Sequence, residues 1–105
     1  MSDQPRAPRY DIHAPIEIES GDQVFTGQLE NISTSGAAVT GTNLPPIPND
    51  FFVALHTESV EGPKYLRGAK VRNIPNGFAL AFEENIPNPE SVAANLESFR
   101  KNNET

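Results

Sequence analysis

The chain has no cysteine, so neither a disulfide nor a thiolate metal site can help hold it together. No apolar run approaches the ~20 residues of a membrane span, and the N-terminus lacks the apolar core of a signal peptide. These absences fit a reducing compartment, and a cytoplasmic location without direct membrane insertion is expected. Basic residues are few: eight Lys and Arg stand against fourteen Asp and Glu, a net charge of −6. That balance argues against general binding to a nucleic acid polymer or an anionic membrane. A small anion can still be held where basic residues cluster locally. A length of 105 residues, 36% of them hydrophobic, suits one domain with a thin core. Ten prolines and seven glycines point to many short elements rather than a few long helices.

Those elements are legible as alternations. Ile16 and Ile18 alternate with Glu17 and Glu19, which predicts a half-buried strand, and Ser20-Gly21-Asp22 turns the chain. Phe25, Gly27 and Leu29 mark a second strand, and Ala37 to Thr40 a short third one of small and β-branched residues. Thr42 to Asp50 contains three prolines and reads as a loop. Phe51 to Thr57 reads as a fourth strand with Phe51, Val53 and Leu55 on one face, ended by Glu61-Gly62-Pro63. Tyr65 to Ile74 is a fifth, with a basic face at Arg67, Lys70 and Arg72. Asn76-Gly77 signals a hairpin, and Phe78, Leu80 and Phe82 supply the inward face of a sixth strand. After Pro87 the period changes. Asn88 suits an N-cap and Pro89 the first helical position; Val92, Leu96 and Phe99 then form one apolar stripe. Glu90 near the helix start and Arg100 and Lys101 near its end complement the helix dipole. The result is a mainly β fold, an antiparallel barrel or sandwich closed by one C-terminal helix. Residues 1–8 form an exposed arm, residues 9–101 a single domain and residues 102–105 a polar tail.

The stretch Asn31-Ile32-Ser33-Thr34-Ser35-Gly36 links two of these strands. Asn31 can both donate and accept, and Ser33 adds a short hydroxyl. If the segment stays extended, their spacing places both on one face. Gly36 permits a close backbone approach that a Cβ would forbid. The stretch is either a rim facing a ligand or a turn that satisfies itself, and Ser35 belongs to the turn. Arg67, Lys70 and Arg72 extend a basic rim or form a charged outer strand face, the commoner arrangement. His13 and His56 have no ligand-spaced partners, so no metal is expected. The acids are dispersed, and Ser33 has no recognisable His and acid partners for a hydrolytic triad.

From Arg6 to about Glu84 the chain resembles the PilZ domain family. That family has an arginine pair at its N-terminal edge, followed by a D/N-x-S-x-x-G motif. Asn31, Ser33 and Gly36 match the second motif, and Arg9 lies at a fitting distance before it. Arg67-Gly68-Ala69-Lys70-Val71 and Gly77-Phe78-Ala79-Leu80-Ala81-Phe82 also follow the family pattern. The arginine motif departs from it: R-x-x-x-R is usual, whereas this chain reads Arg6-Ala7-Pro8-Arg9, one residue shorter. The resemblance implies a six-stranded antiparallel β-barrel and binding of the bacterial second messenger cyclic di-GMP, with the signal passed to a separate effector protein. Arg6, Arg9, Asn31, Ser33 and Gly36 become the expected nucleotide site, with no cofactor and no catalytic residue. Arginine suits this ligand because its planar fork matches both the O6/N7 edge of guanine and the oxygens of a phosphate. The alternatives are a degenerate PilZ domain that adapts between proteins without nucleotide, and a small enzyme, for which no catalytic constellation is present.

Overall fold

The structure, a computed structural model, describes residues 8–102, with the side chain of residue 102 left out. Six strands follow in order: β1 (Tyr10–Ser20), β2 (Gln23–Ile32), β3 (Gly36–Thr40), β4 (Phe52–Ser59), β5 (Gly62–Ile74) and β6 (Gly77–Phe82). One helix, α1 (Pro89–Asn102), ends the described chain. Every neighbouring pair is antiparallel, and the sheet closes on itself in the order β1-β2-β3-β6-β5-β4. Closure removes the free sheet edges that would otherwise invite strand addition.

The period-2 alternation works as expected in β1, where Ile12, Ala14, Ile16 and Ile18 are buried and the residues between them are exposed. Leu29, Ile32, Val39, Val53, Leu55, Phe78 and Leu80 meet them inside the barrel. Each such side chain contributes roughly 1.5–3 kcal/mol by leaving water.

The seam between β1 and β4 is short: only Glu17–Glu19 pair with Ala54–His56. Nearer its start, β1 parts from β4, and α1 fills the wedge. Leu96 is 1% exposed and Ala93 joins it in the core, while Val92 and Phe99 are half-buried. The parted backbone finds partners: the His13 N–H donates to Glu97 Oε2 at 3.1 Å, and the Val60 N–H reaches the Asn95 carbonyl. Pro15 is tolerated inside β1 for the same reason. Its carbonyl faces β4 and accepts from the Thr57 hydroxyl, so its missing N–H also points where the ladder is open. The helix begins as its sequence predicts, with the Val92 N–H returning to the Asn88 carbonyl.

Four local expectations change. Phe51 lies before β4 and is 50% exposed; its N–H donates to the Pro48 carbonyl, so it belongs to the end of the proline-rich loop, where strand alternation does not yet apply. Gly62 and Pro63 open β5 rather than separating it from β4, since the chain turns earlier, at Val60-Glu61. The two-residue turn between β5 and β6 is Pro75-Asn76. Asn76 takes the left-handed conformation (φ 63°) and Gly77 begins β6, where a Cβ would collide with the Val39 carbonyl oxygen. Lys70 is not on the outer face with Arg67. It is 4% exposed, and its ammonium donates to the Ile47 carbonyl. That bond, with backbone bonds from Asp50 to Lys70 and from Lys70 to Phe51, ties the proline-rich loop to β5.

Candidate functional site

The start of β1 lies beside the end of β2, because Tyr10 pairs with Ile32 and Asp11 with Asn31. This brings Arg9, the residue before β1, to Asn31. Arg9 Nη1 donates to Asn31 Oδ1 at 2.7 Å across 22 positions of sequence. The acceptor is a neutral amide, so the bond orients the guanidinium without cancelling its charge. Arg9 takes part in no ion pair among the described residues. Among the described residues, the other four N–H donors of Arg9 and the Asn31 NH₂ group meet no acceptor, and they are the groups that can serve a ligand.

Asn31 points outward because of a bulge. Leu29 pairs with Val39 and Asn31 with Ala38, which leaves Glu30 as the extra residue in β2. Simple alternation from buried Leu29 would send Asn31 into the core. The bulge sends it out and returns Ile32 to the interior, where it is fully buried. Re-aiming a side chain is a usual consequence of a β-bulge.

Ser33 sits differently. β2 ends at Ile32, so Asn31 and Ser33 do not share one extended face. Ser33 is 2% exposed. Its hydroxyl accepts from the Ser35 and Gly36 N–H groups at 3.3 and 3.2 Å, and lies 3.3 Å from the Gly36 carbonyl to which it donates. The Ser33 N–H also donates to that carbonyl, at 2.8 Å. The hydroxyl is thus a fastening inside the turn. Gly36 serves shape: a Cβ there would collide with the Leu80 carbonyl oxygen of β6. The close approach is to the neighbouring strand. Outside the turn, the Thr34 and Ser35 carbonyls accept from Ile86 and Phe82, each at 2.8 Å. The turn is thereby fixed to the end of β6, and Asn31 stands on a rigid base. Arg6 and the rest of the arm to residue 7 lie outside the described residues.

Two larger concavities lie elsewhere. One of about 650 Å³ is lined by Glu19, Phe51, Phe52, His56, Tyr65 and Arg67 among others. Another of about 910 Å³ runs beside α1 at Leu96 and Phe99. Neither includes Arg9, Asn31, Ser33 or Gly36. The histidines are paired with carboxylates, His13 with Glu30 at 3.3 Å and His56 with Glu19 at 2.8 Å. No group of three His, Cys, Asp or Glu side chains gathers as a metal site among the described residues, and no helix among them is long and apolar enough to cross a membrane.

A closed six-stranded barrel with a terminal helix, and an Arg–Asn pair beside an S-x-x-G turn, define a class. The family model of the PilZ domain matches residues 3–99, and the chain belongs to the PilZ domain family. Its fold is similar to that of the PilZ domain of CeSA from a cellulose-synthesizing bacterium. That match has 18% identity and a TM-score of 0.67, over 90% of this chain and 99% of the other. It is also similar to the inhibitor of motility MotI/DgrA of Bacillus subtilis, with 15% identity and a TM-score of 0.60 over 99% of this chain. The second match takes in 55% of the longer MotI/DgrA chain. No curated protein sequence matches the chain.

Proposed function

We propose that the chain is a non-enzymatic cyclic di-GMP receptor or adaptor. On this reading the nucleotide orders the N-terminal arginine arm against the Asn31–Gly36 turn, and the ordered surface signals to a separate effector protein in the bacterial cytoplasm. The observation that carries the reading is the 2.7 Å bond from Arg9 to Asn31. It joins the two halves of the motif, and its acceptor is a neutral amide that does not cancel the guanidinium charge. Arg9 meets a phosphate or a guanine O6/N7 edge, and the Asn31 NH₂ group donates to the same ligand. Arg6 adds a second cation from the arm. Ser33 and Gly36 hold the shape of the rim. Ordering the arm costs conformational entropy, and charge-assisted hydrogen bonds offset it.

The short spacing Arg6-x-x-Arg9 favours a second reading, an adaptor that binds a protein partner without nucleotide. Isothermal titration separates the two. The receptor is expected to bind cyclic di-GMP well above cyclic di-AMP, GMP or GTP, with affinity falling as salt rises. Arg9→Ala is expected to lose ~1.5–3 kcal/mol of binding, the scale of a hydrogen bond to a charged group, and Arg6→Ala less. Absence of binding at millimolar cyclic di-GMP selects the adaptor. A larger loss with Arg6→Ala than with Arg9→Ala would reverse their roles.

A further inference from the structure

A second bulge lies in register with the first. In β5, Leu66, Gly68 and Lys70 are buried and Tyr65 and Arg67 are exposed, so even-numbered residues face the core. Alternation would therefore bury Arg72. Instead Lys70 pairs with Leu80 and Arg72 with Ala79, leaving Val71 as the extra residue. Arg72 is exposed and Val71 is 42% exposed. The bulge has turned Arg72 outward.

The strand registers place Arg72 on the row that begins at the candidate site. Asp11 pairs with Asn31, Asn31 with Ala38, Ala38 with Ala79 and Ala79 with Arg72. The row lies on the outer face, since Ala37, Val39, Phe78 and Leu80 fill the core on either side of the two alanines. Ala38 and Ala79 are only 8% and 4% exposed, so their methyl groups form a recessed floor with longer polar side chains at each end. Asn31 and Arg72 are three strand spacings apart, about 14 Å along the sheet. The Arg72 guanidinium makes no hydrogen bond or ion pair among the described residues. Asp11 continues the row beyond Asn31, which leaves Arg72 as the cation facing the floor from the β5 side.

We propose that Arg72 is a further nucleotide-binding residue. It takes a phosphate or guanine edge of a cyclic dinucleotide laid over Ala38 and Ala79, opposite the part held by Arg9 and Asn31. This assignment rests on the reading of Arg9 and Asn31 as a cyclic di-GMP site and extends that site across β3 and β6. The two bulges supply its physical basis. Each takes a polar residue that alternation would bury and sets it on the same outer row. A ligand with two guanines and two phosphates has enough separated polar groups to engage both ends at once.

The test is isothermal titration of the full chain with cyclic di-GMP, comparing the parent with Arg72→Ala, Arg9→Ala and Arg67→Ala. Arg67→Ala removes the same charge from the outer face of the same strand, five residues or about 16 Å away and off the row. Arg72→Ala is expected to weaken binding at least about tenfold, as for loss of a hydrogen bond to a charged group, while Arg67→Ala stays within about twofold of the parent. A parent that binds and loses affinity with Arg9→Ala but not with Arg72→Ala overturns this assignment and leaves the receptor reading standing. Equal losses in Arg72→Ala and Arg67→Ala also overturn it, because general charge would then explain both. A parent that binds no nucleotide removes both readings. In methyl-labelled protein, Ala38 and Ala79 resonances are expected to shift on adding cyclic di-GMP. Unmoved signals at both positions would contradict the placement of the ligand.

Discussion

Ser33 offers a direct test of whether this turn works by contact or by shape. Replacing it with alanine removes one hydroxyl from a site that is 2% exposed. Two N–H groups, of Ser35 and Gly36, lose an acceptor, and the Gly36 carbonyl loses one of two donors. The separations of 3.2–3.3 Å lie beyond the usual optimum for such bonds, so each is worth less than a full one. Part of the loss is relieved because the remaining Ser33 N–H bond to Gly36 is short, at 2.8 Å. The expected cost is about 1–2 kcal/mol, the middle of the range for stranding buried backbone donors. For a domain of this size that is a fall in Tm of about 4–12 °C. Binding of cyclic di-GMP should weaken only modestly, because Arg9 and Asn31 keep their side chains. Ser33→Thr keeps the hydroxyl and is expected to restore much of the stability. Thermal melting followed by circular dichroism, beside nucleotide titration of the same samples, makes the measurement. A Ser33→Ala protein that melts with the parent yet no longer binds would refute the reasoning, since the hydroxyl would then be a ligand contact and not a fastening.

Other outcomes follow from the wedge between β1 and β4. Leu96→Ala is expected to cost ~2–5 kcal/mol, as for other buried leucines, and Phe99→Ala less for its size, because Phe99 is only partly buried; equal melting of Leu96→Ala and parent would mean that α1 does not hold the wedge. Glu97 is held below the ordinary carboxylate value of 4.5, first by the hydrogen bond from Arg100, then by the His13 N–H and the charges of Arg100 and Lys101, with burial opposing. A lowered folded-state pKa stabilises above the unfolded pKa, and that contribution is lost as pH falls through the folded value. The stability advantage of parent over Glu97→Gln should therefore be present at pH 7 and shrink below about pH 4.5 in denaturant titrations. A gap independent of pH across that window would show that the charge of Glu97 does not matter.

The sequence by itself determined the number of strands and the helix, with the turns before β5 and β6 displaced by a residue or two. Each strand has one face in the core, so period 2 is written locally in Ile16 and Ile18 and in Val53 and Leu55, and the helix is written in Asn88, Pro89 and the stripe through Leu96. The motif residues Arg9, Asn31, Ser33 and Gly36 were legible through their likeness to a family, and the bond between Arg9 and Asn31 follows from the β1–β2 register. Their division of labour was not legible. Whether Ser33 faces a ligand depends on β2 ending at Ile32, and the need for glycine at position 36 comes from Leu80, a residue 44 positions away. Lys70 and Arg72 stand two residues apart, and local alternation gives them the same face. Only the bulge at Val71 separates them, placing one beneath the proline-rich loop and the other on the outer row. A bulge is set by how two neighbouring strands must pair and bend to close a barrel. That constraint acts between distant segments, so only the tertiary structure could decide which polar residues reach the surface where a ligand would lie.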